Sequence, residues 1–207
     1  MIHKLLIATL AVGCAFGAAT HAAAQVTPPP TPDTIAVPAG NHAFLVGHAF
    51  GSQGYTCLPT SDGSAAWNPT ARPEATLFAD LAGAQFQIIT HFQSINANPK
   101  QGVTPPLSGN ATWQSSLDSS RVWAVKVAGI DAGSDPASCP NNGSIQCLKL
   151  QSVGNKKGPT GGSLLATTTF IQRLNTNGGA VPVSACTVGQ TQLVGYTADY
   201  YFFTADK

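Results

Sequence analysis

The chain has 207 residues, only 9% of them charged, with ten Lys and Arg against nine Asp and Glu. An average globular protein carries about 25% charged residues, so the polar surface here must come from Ser, Thr, Asn and Gln. So balanced and sparse a charge excludes nucleic acid and acidic membrane surfaces as natural partners, and it suits an exported β-rich protein that handles neutral polar ligands such as sugars.

Residues Met1 to Ala24 read as a secretory signal peptide: Lys4, an apolar run from Leu5 to Ala19, then Ala22, Ala23 and Ala24 before Gln25. The run is too short to span a bilayer comfortably, and no other stretch reaches transmembrane length. Leu10 to Cys14 loosely resembles a lipoprotein signal, with Cys14 as the acylated residue. Ala11 stands where that signal favours Leu, so periplasmic or extracellular export is the expectation.

Residues 25–40 hold Pro28, Pro29, Pro30, Pro32 and Pro38 and are expected to form an extended tether. A single domain is expected over 41–207. Phe44, Val46, His48 and Phe50 alternate with small and apolar residues, and Gly51-Ser52 is expected to end that strand. A second strand is expected at Tyr55 to Leu58 and a third at Thr76 to Leu81. Ala82-Gly83 turns the chain into a strand from Gln85 to Phe92. An irregular insert with three prolines occupies Gln93 to Asn110, a length that often carries function.

Strands are expected again at Ala111 to Leu117 and Arg121 to Ala128, where Trp123, Val125 and Val127 share a face expected to be core. Ser144 to Val153 gives another. Leu164 to Leu174 is followed by a turn signal at Asn175 to Gly179, and Leu193 to Phe203 places Val194, Tyr196, Ala198, Tyr200 and Phe202 on one side. Short strands, turn signals and no helical period predict an all-β domain with antiparallel pairing, a β-sandwich or a barrel-like jelly roll.

With Cys14 removed, Cys57, Cys139, Cys147 and Cys186 remain, an even number with three possible connectivities. Pro140-Asn141-Asn142-Gly143 folds Cys139 onto Cys147, which leaves Cys57 for Cys186. A zinc site is disfavoured because no C-x-x-C spacing occurs.

The tail residues Phe170 to Gly179, then Pro182 and Cys186, then Tyr196 to Phe202, resemble the closing signature of a secreted bacterial and fungal family, domain of unknown function 3455. Gly51 to Cys57, Pro73 to Leu77, His91 and Trp113 fit the same pattern. The insert between His91 and Trp113, and Asp118-Ser119-Ser120, depart from it. The resemblance implies that Cys57 and Cys186 are family positions while Cys139 and Cys147 are local to this chain. It implies no reaction.

His91, Trp113 and Asp118 are the candidate ligand-binding residues, beside the insert. Trp113 is the aromatic best placed to stack on a sugar ring if exposed there, although a Trp in a sandwich is more often core. His42 and His48 are six residues apart on one strand, roughly 20 Å, too far to share an ion. His91 could meet His48 across strands with Asp118 or Asp80, but H-x-H pairs are absent, so neither metal nor cofactor is expected. Arg173 and Asp199 sit inside apolar strands, where an unpaired charge costs several kcal/mol, and are expected to pair with each other or with tyrosine hydroxyls. No G-x-S-x-G or H-E-x-x-H occurs, and Glu74 is the only glutamate. The expectation is a non-enzymatic module for a neutral glycan or a cell-surface partner. The alternatives are an exported hydrolase or metal-dependent enzyme around His91, Trp113 and Asp118, and a structural envelope protein.

Overall fold

Nine strands run β1 (Asn41–Pro59), β2 (Ala65–Trp67), β3 (Arg72–Leu81), β4 (Ala84–Ser94), β5 (Asn110–Ser115), β6 (Arg121–Ile130), β7 (Cys147–Lys156), β8 (Thr168–Gly178) and β9 (Thr191–Ala205) in the computed structural model, which describes residues 26–207. The expected signal peptide, with Cys14, lies outside the described residues. All pairings are antiparallel, in the order β2-β1-β3-β4-β5-β6-β7-β8-β9, and β9 pairs back onto β1 from Asn41 to Thr56. The ladder therefore closes on itself, with β2 as a hairpin outside the ring. The all-β, antiparallel, disulfide-stapled expectation holds, and ring closure gives its barrel-like form, with neighbours in sequence mostly neighbours in space.

The expected break at Gly51-Ser52 is absent, and β1 runs through it for 19 residues. A Cβ on Gly51 would lie 2.0 Å from the Glu74 carbonyl oxygen and 2.5 Å from the Ala75 Cβ, so glycine here admits β3 at close range. The turn signal at Asn175 is likewise absorbed. Asn175 takes a φ of 51° inside β8, and the β8–β9 register shifts between Leu174 and Asn177, so the signal makes a bulge. Asn and Gly tolerate this conformation wherever it is needed, so the same residues serve a turn or a bulge.

Inward faces of the strands, with Leu165 of the β7–β8 connection, build one core: Leu77, Ile89, Val122, Leu150, Leu165, Ile171, Tyr196, Ala198, Tyr200 and Phe202 are buried together. The expected face of Tyr196, Ala198, Tyr200 and Phe202 thus points inward. Residues 25–40 are not a free tether where they are described. Ile35 is fully buried with Leu174, Tyr201 and Phe203 on the outer face of β8 and β9, Gln172 Nε2 donates to the Ile35 carbonyl (2.8 Å), and Lys149 Nζ to that of Ala36 (2.9 Å). The chain turns at Pro32, whose carbonyl accepts from the Ile35 and Ala36 N–H groups (both 3.0 Å), and the few apolar side chains of the segment cover an outer face that would otherwise be wet.

The insert after β4 is a strap. Asn96 Nδ2 donates to the Val153 carbonyl (3.1 Å), the Lys100 N–H to the same oxygen (2.8 Å), and Asn98 Nδ2 to the Asn155 carbonyl. Trp123 faces outward beneath this strap, fully buried, its Nε1 donating to Ser94 Oγ at 3.0 Å. It is buried, as expected of core, but with the strap and not with Val127, which is exposed. The bulges on β6 at Trp123/Ala124 and Lys126/Ala128 break the simple alternation that grouped them.

Candidate functional site

Pairing register brings His91 of β4 opposite Trp113 of β5, and Ala75 of β3 opposite His91. Arg173 of β8 stands opposite Tyr200 of β9 and Leu148 of β7. Because these positions share the inward phase of the pleat, their side chains meet in the lumen. There they line a cavity of about 680 Å³. Its walls come from β1 (Gln53, Tyr55), β4, β5, β6, β7 and β8, and its rim from the segments around Thr70, Asn110, Ile145 and Val181. All these segments lie at the end of the barrel where β1, β4, β6 and β8 finish. Leu77, Ile89, Leu165 and Phe202 fill the opposite half. The molecule is a cup.

Both disulfides sit at the rim. Cys57–Cys186 joins the end of β1 to the β8–β9 loop across a separation of 129 residues, and Cys139–Cys147 closes the β6–β7 loop onto the start of β7. The rim loops are thereby fastened to the wall.

His91 and Trp113 are brought together more tightly than expected: their rings stack at 4.2 Å with an interplanar angle of 7°, and Tyr200 stands 5.3 Å from the imidazole. Trp113 is fully buried, so it is no exposed platform; its neighbour's ring and the lumen take the surface it would have shown. His91 Nδ1 lies 2.9 Å from the Thr112 carbonyl oxygen, which can only accept, so Nδ1 carries the proton. Burial pushes the imidazole down to about 3, against the Thr112 hydrogen bond and with the help of the Arg173 charge. His91 is neutral throughout the physiological range. Tyr196 and Tyr200 share a hydrogen bond at 3.1 Å, and burial raises the Tyr196 hydroxyl.

Asp118 is not with them. It lies in the β5–β6 turn at the closed end, where Oδ1 accepts from the Ser120 N–H (3.0 Å) and hydroxyl (2.7 Å), and Oδ2 from the Leu164 N–H (2.8 Å). Burial alone would raise this carboxyl, but the Leu164 and Ser120 donors outweigh it and hold it at about 2. Asp118 clasps the floor; the strand length between Trp113 and the turn carries it away from the mouth.

Arg173 and Asp199 do not pair either. Arg173 Nε and Nη2 both donate to the Gln146 carbonyl (3.2 and 2.8 Å), inside the rim. Asp199 is opposite Leu174, not Arg173, and faces outward, accepting from His48 Nδ1 (2.6 Å) and Asn175 Nδ2 (2.8 Å). The period-two pleat separates two residues whose registers differ by one. It also keeps His48, outside, from His91, inside. No cluster of His, Cys, Asp and Glu capable of holding a metal occurs among the described residues.

A family model matches residues 38–204, the barrel to within one residue of its last strand's end. The chain belongs to the DUF3455 family of proteins of unknown function. Neither a curated protein nor a solved structure matches it. In this DUF3455 domain the residues that sequence reasoning missed are Gln53, Tyr55, Asn110, Lys126 and Gln146, each a scattered polar residue with no local motif. The signal was inward phase in strands that close into a ring.

Proposed function

We propose that this protein is an exported, non-enzymatic binding module that takes a small organic molecule into the mouth of its barrel. The observation that carries this is the cavity of about 680 Å³, within the ~300–1,000 Å³ of small-molecule sites, with an apolar wall and a few convergent polar groups. Two rim disulfides favour export, since such bridges persist in oxidising compartments. Acid–base chemistry is poorly supported here. The inward His91 is neutral and its Nδ1 is committed to Thr112, and Asp118, the carboxylate of the enzymatic reading, is at the far end.

The test is a thermal-shift screen of the oxidised protein against small organic molecules, with Ala180→Trp beside it. Ala180 lies on the rim loop, outside every strand, so a bulky side chain there plugs the mouth without entering the ladder. A ligand at a hundred times its dissociation constant adds about 2.7 kcal/mol. Shifts that vanish in Ala180→Trp are expected. Shifts that survive the plug place binding elsewhere and refute the lumenal reading, as does a screen with no shift at all.

A further inference from the structure

Among the described residues two cations, Arg173 and Lys126, face the cavity, and no Asp or Glu lines it. Among the described residues every ion pair belongs to an outward histidine, His42 or His48, and none to an Arg or Lys. Both cations lean on one neutral residue: half-buried Arg173 on the Gln146 carbonyl, and Lys126 Nζ, exposed at the rim, on Gln146 Oε1 at 2.6 Å. Arg173 Nη1 has no protein partner among the described residues. A half-buried guanidinium whose only acceptor is an amide is undercompensated, because burial strips water that a carboxylate would ordinarily replace.

An independent observation points the same way. Gln53 Nε2, Asn110 Nδ2 and Trp113 Nε1 are buried donors without a partner, and the three residues are 4%, 6% and 0% exposed. All three line the cavity, and only one other side-chain atom among the described residues, Thr168 Oγ1, shares their condition. Orphaned donors in one concavity, beside an undercompensated cation, call for acceptors and negative charge from outside the chain.

Building on the lumenal reading, we propose that the ligand is an amphipathic organic anion: a carboxylate head on an apolar body. The head takes Arg173 and the amides of Gln53 and Asn110. The body lies along Ala111, Ile145 and Leu148. This departs from the neutral polar ligand expected of the composition. A sugar hydroxyl brings a donor with every acceptor and leaves the guanidinium uncompensated, while a cation meets Arg173 and Lys126 head on.

The experiment measures binding of matched ligands to the oxidised protein by calorimetry: aryl- and alkyl-carboxylates of graded length, each with the alcohol and the amine of the same body. Carboxylates are expected to bind about ten- to a hundredfold tighter than their alcohols, the worth of a charge-assisted contact, and the amines weakest of all. Arg173→Gln is expected to erase the preference, leaving alcohol affinity in place, and Arg173→Lys to restore part of it. The wild-type comparison stands even if a variant fails to fold. Alcohols that bind as tightly as carboxylates, with both lost in Ala180→Trp, would overturn the anion proposal and leave the lumenal reading intact. Binding by no member up to about 1 mM would overturn both.

Discussion

Replacing Asp118 with Ala separates a floor clasp from a binding residue. The carboxylate accepts from two backbone N–H groups, of Ser120 and Leu164, and from the Ser120 hydroxyl, whose oxygen in turn accepts from the Leu165 N–H at 2.9 Å. Leu165 is fully buried in the core, so the clasp fixes where the 157–167 segment seals the barrel. A hydrogen bond to a charged group contributes about 1.5–3 kcal/mol. Ser120 is fully buried, but the Asp118 carboxylate is partly exposed and screened by water, so the loss is about 2–3 kcal/mol in all. For a domain of this size that lowers Tm by about 4–12 °C. The carboxyl is held below its ordinary 3.8, at about 2, so its contribution is full above the unfolded value and lost as pH falls through about 2. The gap between wild type and Asp118→Ala, read from urea denaturation, is therefore expected to be full near neutrality and to close between about pH 4 and 2. Affinity for a lumenal ligand should not change. A variant of wild-type stability that has lost ligand binding would refute the assignment and return Asp118 to the site.

His91 sets a second pH dependence, of the opposite origin. It is depressed to about 3 by burial, so the unfolded chain takes up a proton below its ordinary 6.5 that the folded chain refuses. Stability contributed by neutral burial is full above 6.5 and falls by about 1.4 kcal/mol per pH unit towards about 3. His91→Phe is expected to flatten that slope in denaturation curves between about pH 6 and 4, and an unchanged slope would contradict the burial argument. Removing Cys57–Cys186 as the double serine variant should destabilise by about 5 kcal/mol in the chain-entropy picture, against about 2.5 for Cys139–Cys147, read from denaturation midpoints. Equal losses would show that loop length does not govern them. Gly154→Ala is expected to lift the strap, since a Cβ there would lie 2.2 Å from the Asn98 carbonyl oxygen. Tryptic cleavage after Lys100 should accelerate and Trp123 emission shift to the red; resistance equal to wild type would refute the strap.

The alternation in β9 was legible because Tyr196, Ala198, Tyr200 and Phe202 repeat at the strand period, and the Cys139–Cys147 bridge because a turn sequence lies between its ends. The site was only half legible. His91 and Trp113 sit on adjacent strands, so a pairing guess could join them. Asp118 was drawn in by closeness in sequence, which says little once a strand of 3.3 Å per residue intervenes. Arg173 was recognised as an anomaly but given the wrong neighbour, because a charge in an apolar strand announces that it needs compensation without saying from where.

Period, turn chemistry and cysteine spacing are local, and by themselves they determined an antiparallel all-β chain with two disulfides. Alternation divides a strand into two faces but does not say which is inside. That was decided when β9 returned to β1 and the ladder closed, a property of twist and register summed over the ring and held by no single segment. Closure put Gln53, His91, Asn110, Trp113 and Arg173, spread over 121 positions from Gln53 to Arg173, into one lumen. It left Asp118, Asp199 and His48 outside it.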